Sequence, residues 1–427
     1  MKIRRGAALM LAAFGVLRVS EARADETCSP LVRSNVVPCA ISASLPARAE
    51  REQALALEGR WAATSPWFPS NPVVSVWGSR RFPMPGTDLV TYNWYGALSQ
   101  EFEIAGQRGA RRRVVGGQHD AQREVITATD REVAAGAWNA YFEVLAAQED
   151  LRLVQRVESL FRRVSGATTA AADKGLVAGL DADVADAALV RISQARIGAE
   201  QQAKRVMVAL ATRLAFAPTA SLSVQGDLEP LAVGGVTPTN IDRIADQRPE
   251  VRALDAERGS LEAKGDYYRR LRWPNPTVSV FVQNDELNQP VVGLGLSFPL
   301  VLPQPLGRTY AGEIDESEAL ARKTRLQAEQ LRREARKELS VALQAYEAAR
   351  QGRDLYTDQR IGRADTSLQS IVKEIENGRL AVRDAVVAQQ TLMDLLRGNI
   401  ESKLTLCLAS VALAKAAGIP LERGGTL

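Results

Sequence analysis

The side chains that could carry catalysis or hold a metal ion are sparse in this sequence. The one histidine, His119, lies within a long helical stretch, and no group of His, Cys, Asp and Glu has the spacing of a metal site. The G-Q-R-G at 106–109 lacks the spacing of a phosphate-binding glycine loop. We therefore expect a protein that is not an enzyme and that uses no cofactor or bound metal.

The first residues predict an exported protein. Basic residues precede the apolar run 7–17, and an A-x-A cleavage signal follows at 22–24. We expect residues 1–24 to be a signal peptide. Its removal takes away five basic residues and one acidic residue, which leaves 49 of each. A neutral mature chain offers no basic face, so we expect no nucleic-acid partner.

The cysteines fit an exported chain in more than one way. Cys28 and Cys39 lie close together near the expected mature N-terminus, and the pair could form a disulfide. Cys28 could instead carry a lipid, although the preceding D-E-T lacks the small apolar residues of such a site. Cys407 lies alone in a late helical stretch and is expected to be a packing residue.

Two long helical hairpins, 106–214 and 307–417, must position everything else. The first limb of each is about 70 residues of proline-free sequence with helical apolar spacing. A helix of that length is a rod of about 100 Å, which cannot bury its apolar stripe on itself. Each limb therefore needs its return limb, and we expect further copies of the chain to cover the rest.

Each hairpin follows a pair of short predicted strands, so the chain reads as a duplicated unit. The first repeat is predicted over 25–245, which includes an irregular connector at 216–245, and the second over 246–427. Both first strands open with N-P-x-V-S-V, at Asn71 and Asn275. The strands are expected at about 72–80, 91–103, 276–284 and 291–300.

The strand 91–103 alternates between apolar and polar residues, which predicts one greasy face. Apolar alternation with aromatic residues is typical of outer-membrane barrels. We expect an aromatic girdle at the membrane interface from Trp77, Phe82, Tyr92, Trp94 and Tyr95.

Four strands cannot close a barrel, and lipid does not tolerate open sheet edges. Two copies would give eight strands, whose own side chains fill the interior, whereas three copies leave a lumen. The predicted fold class is therefore mostly α with membrane β. Long antiparallel helical hairpins form an α-barrel, and four strands per chain contribute to a shared trimeric 12-stranded outer-membrane β-barrel.

With this plan the sequence resembles the TolC family of outer-membrane efflux proteins. The resemblance covers essentially the whole mature chain. It rests on the two N-P-x-V-S-V openings, on the stretch 98–111, and on the turns at 175–178 and 377–392. The stretch 98–111 is most similar to the branch of the family that serves heavy-metal efflux.

The resemblance implies a homotrimer in the outer membrane of a Gram-negative bacterium, in contact with outer-membrane lipid and extending into the periplasm. It would be the passive exit duct of a tripartite efflux system, with heavy-metal cations as a candidate substrate. Its partners would be a periplasmic adaptor (membrane fusion) protein and an inner-membrane pump of the RND type. An outer channel for type I protein secretion or drug efflux is an alternative. A periplasmic helical scaffold without a pore is an alternative of another class.

The family docks its adaptor at the periplasmic turns, which this sequence places at matched positions of its two repeats. Glycine there can adopt backbone angles that other residues resist. The expected docking tips are Gly175, Leu176, Val177, Gly378 and Leu380.

The family also narrows its tunnel with a ring of aspartates, and Asp384 matches that position. A second acid found in some members is Val387 here, so the ring is expected to be single. Three copies of one carboxylate around a narrow axis would repel each other and attract cations. We predict that Asp181 pairs with Arg379 or Arg383 to hold the resting tunnel shut. Solvated, unpaired charges are the alternative.

Overall fold

The computed structural model of the chain describes residues 28–82, 91–216, 222–284, 289–303, 305–377 and 379–421. The expected signal peptide 1–24 lies outside these residues. The helices are α1 (Val36–Ala43), α2 (Leu45–Ala63), α3 (Gln107–Asp173), α4 (Gly179–Arg213), α5 (Ile241–Asp246), α6 (Pro249–Leu271), α7 (Ala311–Asp354), α8 (Asp358–Glu376) and α9 (Val382–Ala417). The strands are β1 (Val73–Arg81), β2 (Thr91–Glu101), β3 (Thr277–Asn284) and β4 (Pro290–Ser297).

The predicted mostly helical fold with four strands is confirmed. The strands form one antiparallel sheet in the order β1-β2-β3-β4, so β2 of the first half pairs with β3 of the second. In this register Leu98 lies between Val74 on β1 and Val280 on β3, and Val280 is opposite Leu294 on β4. Within the described residues, no helix has the length and apolar character needed to cross a membrane.

Helix α3 is 67 residues long because nothing in its sequence interrupts it. Its start is fixed by Gln107, whose side chain is fully buried at the junction between sheet and helices. The Gln107 amide oxygen accepts from the Ala105 N–H at 2.9 Å, and its nitrogen donates to Asn275 Oδ1 at 2.9 Å. The Gln107 side chain therefore connects the junction between β2 and α3 in the first half to the residues just before β3 in the second half.

The second long limb differs from the expected continuous helix. It begins at Ala311 rather than near Gly307, and it is interrupted between α7 and α8. Thr357 has an extended backbone there, and its hydroxyl caps α8 by accepting from the Arg360 N–H at 3.4 Å. At the break, Tyr356 packs against Gly398 of α9. A side chain at position 398 would collide with the Tyr356 hydroxyl, so this contact requires glycine.

The largest core cluster lies midway along the hairpins and gathers parts of the chain that are distant in sequence. Its centre is Trp138, Tyr141 and Phe142 of α3, all buried. The Trp138 indole donates to the Leu421 carbonyl at 3.1 Å, and the Tyr141 hydroxyl donates to the Gln225 carbonyl at 2.7 Å. These bonds hold both the connector and the C-terminal segment against α3.

A disulfide joins Cys28 and Cys39 within the same core, which selects one of the two roles that the sequence left open for this pair. Cys407 of α9 is fully buried nearby. Burial raises the pKa of the Cys407 thiol to about 12. Cys407 is therefore an inert packing residue, as expected.

Candidate functional site

The turn between α3 and α4 exposes apolar side chains at the end of the first hairpin. Gly175 has a φ of 70°, and the N–H groups of Gly175 and Leu176 donate to the carbonyls of Ala172 and Ala171, both at 2.9 Å. These bonds close the end of α3 and turn the chain outward. Leu176 is 73 % exposed and Val177 38 %, so this tip has apolar surface available for a partner.

The turn between α8 and α9 presents less apolar surface. Gly378 lies outside the described residues. Leu380 is half-buried and packs against the core cluster between the lower parts of the hairpins. Its N–H donates to the Glu374 carbonyl at 3.1 Å, which folds the turn back on α8. The two tips thus differ, and Leu176 is the more accessible apolar residue.

The two tips are joined by a charge contact within one chain. Asp181 at the start of α4 and Arg383 at the start of α9 approach to 3.6 Å between Oδ1 and Nε. Arg383 is two-thirds exposed, whereas Asp181 is a quarter exposed. Arg379 is instead 4.0 Å from Glu374 of its own turn. Of the two arginines named from the sequence, the structure brings Arg383 to Asp181.

Asp384 lies in the first turn of α9 and is exposed. Among the described residues it has no ion pair or side-chain hydrogen bond. Val387, Asp394 and Glu401 follow it along the exposed side of the same helix, at intervals of three, seven and seven residues. Asp394 and Glu401 were not among the residues singled out from the sequence, although their spacing is a helical signal that points to this face.

The sheet exposes one continuous apolar face. Along each strand alternate residues point to the same side, and the register aligns these residues in rows across the four strands. Every large apolar side chain in the set is at least 40 % exposed: Val74, Val76, Tyr92, Trp94, Leu98, Val278, Val280, Val282, Val292, Leu294 and Leu296. An aqueous protein does not leave such a patch uncovered without a partner or a membrane.

Amide side chains bound this face at both ends. At one end Gln100 donates to the Ser70 and Glu101 carbonyls, at 3.0 and 2.9 Å. At the other, Asn284 donates to the Tyr92 carbonyl and accepts from the Trp94 N–H, at 2.8 and 2.7 Å. From Tyr92 to Gln100 a strand rises about 26 Å. That height is close to the roughly 25 Å apolar band of outer-membrane barrels.

Below Gln100 the apolar face continues into aromatic rings covered by arginine. Phe102 packs edge-on against Phe68 with ring centroids 5.3 Å apart. The guanidinium of Arg108 then lies 4.6 Å above the ring of Trp67. One helical turn further on, Arg112 lies 4.6 Å above Trp61. Aromatic rings followed by cations are the usual order at the edge of a hydrocarbon layer.

The aromatic residues expected to form one girdle are divided between the two faces of the sheet. Tyr92 and Trp94 lie on the apolar face, but Trp77 and Tyr95 are direct cross-strand partners on the opposite face. The reason is the two-residue period of a strand, which sends the adjacent residues Trp94 and Tyr95 to opposite sides. The prediction of a single girdle was therefore wrong for Trp77 and Tyr95.

An ion-pair cluster braces three long helices midway along the molecule. Arg131 of α3 donates to Glu250 of α6 at 2.5 Å, and Arg248, the residue before α6, donates to Glu338 of α7 at 2.5 Å. Both arginines are less than a tenth exposed. Burial opposes the charge on Glu250, but the hydrogen bonds from Arg131 and Arg248 outweigh it and lower the pKa of Glu250 to about 2. Both carboxylates thus have a cationic partner.

Within the described part of the chain, no group of three or more His, Cys, Asp and Glu is arranged to hold a metal ion. His119 lies on α3 with its Nδ1 3.7 Å from the carboxylate of Asp120, on a partly exposed surface. Taken together, the chain carries an apolar sheet face, exposed helix tips and an unpaired acid near the tips. The apolar sheet face suits contact with a membrane, and the exposed tips suit contact with a partner.

Comparison with known proteins gives a family for this arrangement. Residues 47–215 match the sequence profile of a family described as Outer membrane efflux protein. The matched segment runs from α2 through the first two strands and the first long hairpin. The sequence has no significant match among the curated proteins.

Solved structures share the fold along almost the entire chain. A structure of CusC, described with transmembrane channel formation, aligns with a TM-score of 0.70 and 13 % identity, covering 90 % of this chain and 91 % of that one. The CmeC outer membrane channel of Campylobacter jejuni gives 0.69 and 15 %, over 92 % and 87 %. The open MtrE outer membrane channel of Neisseria gonorrhoeae gives 0.68 and 16 %, over 92 % and 91 %.

Proposed function

Because residues 47–215 match the outer membrane efflux protein family and solved outer-membrane channels share the fold, we propose that the chain belongs to this family and that three copies form the outer-membrane channel of a tripartite efflux system. The channel is a passive duct through the outer membrane and across the periplasm. An inner-membrane pump of the RND type and a periplasmic adaptor deliver the substrate, and the pump supplies the energy. The two structural repeats, 25–245 and 246–427, each contribute one strand pair and one hairpin to the duct.

The observation that carries this proposal is the apolar face of the sheet. It is exposed in the single chain, bounded by Gln100 and Asn284, and continued by rings and arginines at one end. A periplasmic scaffold has no use for such a face, because water would surround it.

The unpaired edges of the sheet support an assembly of several copies. In the described sheet β1 and β4 each pair on one side only, which leaves backbone N–H and C=O groups without partners. In lipid each unpaired backbone group costs roughly several kcal/mol of free energy, so the two edge strands must pair with strands of other copies. Three sheets supply twelve strands and enclose a lumen.

The helix tips support the proposed closing and docking roles. Asp181 and Arg383 link the starts of α4 and α9, and an adaptor that binds Leu176 and Val177 at the neighbouring turn would act on the same two helices. Asp384 has no partner within the described chain, so it is available to line the narrow end. Heavy-metal cations remain the proposed substrate class, on the resemblance of 98–111 and on the exposed carboxylates of α9.

Membrane fractionation combined with unheated gel electrophoresis tests this function. We expect the protein in the outer-membrane fraction, as a species about three times the mass of the chain that heating converts to the monomer. A monomer in the soluble periplasmic fraction would favour the scaffold and contradict the channel.

A further inference from the structure

Three aromatic rings form a strip across the face of the sheet opposite the apolar face. Trp77 of β1 and Tyr95 of β2 are direct cross-strand partners with ring centroids 5.7 Å apart. Tyr95 in turn stacks on Phe281 of β3, also at 5.7 Å and with an angle of 26° between the ring planes. The strip therefore presents adjacent π-surfaces on three successive strands.

The positions that flank these rings along their strands are small or polar, which distinguishes this face from the lipid-compatible side. The rings alternate along their strands with apolar-face residues. Their neighbours two positions away on the same side are Ser75, Ser79, Asn93, Ala97, Ser279 and Gln283. In the channel proposed above the apolar face contacts lipid, so this second face lines the aqueous lumen. The inference rests on that proposed function for its location, and three copies would place nine rings around the wall.

Packing within the chain accounts for only part of the strip. The Phe281 ring covers Gly293 of β4, where an added Cβ would lie 2.3 Å from the ring, so Phe281 has a structural partner. Trp77, by contrast, is 70 % exposed. An indole ring exposed to water does not gain the free energy that burial of its large apolar surface would provide. In the proposed trimer, pairing of the edge strand β1 with a neighbouring copy would cover one side of this ring, and a ligand in the lumen would cover the rest.

The strip also has the polar groups that would orient a ligand. A depression of about 530 Å³ is lined by Trp77, Ser79, Asn93, Tyr95 and Gln283, together with parts of the adjoining strand residues. Among the described residues, the side chains of Ser79, Asn93 and Gln283 have no hydrogen-bond partner. Apolar rings with a few converging amide and hydroxyl groups are typical of small-molecule sites.

We propose that this strip is a contact site for planar aromatic substrates on the luminal wall of the barrel. A flat ring system would stack on Trp77 and Tyr95, and its amino or carbonyl groups would bond to Asn93, Ser79 or Gln283. A positive charge on the ring would add a cation–π attraction. The site adds a contact for flat organic compounds to a duct proposed above to pass heavy-metal cations, and it needs no charged or metal-binding group in the wall.

Equilibrium binding of proflavine, a planar tricyclic cation, to the detergent-solubilised protein tests the proposal. The readout is proflavine fluorescence anisotropy, with tetraethylammonium as a competitor of equal charge and no ring. Ethidium, a second planar cation, should displace proflavine, and tetraethylammonium should not. Replacing both rings, Trp77→Ser with Tyr95→Ser, should raise the Kd about ten-fold or more, as expected for losing ring stacking.

Tyr92→Ser is the matched control, because Tyr92 is an aromatic residue of the same strand as Tyr95 but lies on the apolar face and does not line the depression. It should leave the Kd unchanged, and Trp77→Phe with Tyr95→Phe should largely restore binding. Should the double serine variant fail to fold, Tyr95→Ser alone is expected to weaken binding measurably. An unchanged Kd in the ring variants, or an equal loss in Tyr92→Ser, overturns the proposal. Binding needs no conducting pore, so a failure of the channel function would be seen separately, as a lack of current.

Discussion

Arginine in place of Val280 tests which face of the sheet contacts lipid. Val280 is 46 % exposed in the single chain and lies between Leu98 on β2 and Leu294 on β4. It is in the middle of β3, so it lies well inside the apolar face rather than at its rim. In the proposed trimer a guanidinium here would be surrounded by hydrocarbon and would have to reach past neighbouring apolar side chains to water.

The expected magnitude follows from that depth. Arginine on the lipid face of an outer-membrane barrel costs about 2–4 kcal/mol at the midplane and about 0–1 kcal/mol near the interfaces. Three copies in one trimer make the total about 6–12 kcal/mol. This is comparable with the whole stability of an ordinary domain, about 5–15 kcal/mol. We therefore expect Val280→Arg to abolish or strongly weaken the membrane-inserted trimer.

Ser279→Arg is the matched control, since Ser279 is adjacent on β3 and points to the opposite face between Ser99 and Gly295. The assay is urea titration of protein refolded into lipid vesicles, read as the trimer remaining on unheated gels. Ser279→Arg should change stability by about 1 kcal/mol or less if its side chain faces a water-filled lumen. Equal losses in the two variants, or a larger loss in Ser279→Arg, would refute the assignment of the faces.

Changes at the exposed helix tips and at the Glu250 ion pairs have measurable consequences of their own. Asp181→Ala or Arg383→Ala should increase channel opening in planar bilayers by removing up to about 1 kcal/mol per chain, whereas Arg379→Ala should have less effect; equal effects of all three would contradict the pairing. Leu176→Asp should stop export while trimers stay in the membrane, measured as substrate retention in cells, and normal export would remove the docking role. Glu250→Gln should destabilise the protein by at most about 3 kcal/mol at pH 7. Because the pKa of Glu250 is lowered from 4.5 to about 2, that stabilisation is present above pH 4.5 and lost as the pH falls towards 2. Thermal unfolding should therefore show the two proteins converging near pH 2, and a constant difference would be inconsistent with this.

The regular elements could be predicted because their signals are local. The limb that became α3 has no proline and a helical apolar spacing, and β2 has a clear two-residue alternation. The contact of Asp181 with an arginine after the second turn was also predicted. The two turns occupy matched positions in the two hairpins, so residues just after them lie at the same level along the helices. The sequence could not choose between Arg379 and Arg383, because the choice depends on how the turn folds back on Glu374.

Features that depend on distant packing could not be predicted in the same way. The break between α7 and α8 has no proline to announce it, and it is associated with Tyr356 packing at Gly398. The ion pair of Arg131 with Glu250 joins residues 119 positions apart, which no periodicity relates. The two-sided placement of Trp94 and Tyr95 was within reach of the sequence, because strand parity alone separates them.

Single-channel recording of the purified trimer in planar lipid bilayers shows whether this chain forms an open duct through the membrane. We expect discrete current steps from one trimer, with larger or more frequent openings when Asp181 and Arg383 are both replaced by alanine. Bilayers that stay silent for both proteins, although the trimer is shown to be inserted, would contradict the claim that this chain forms an outer-membrane duct.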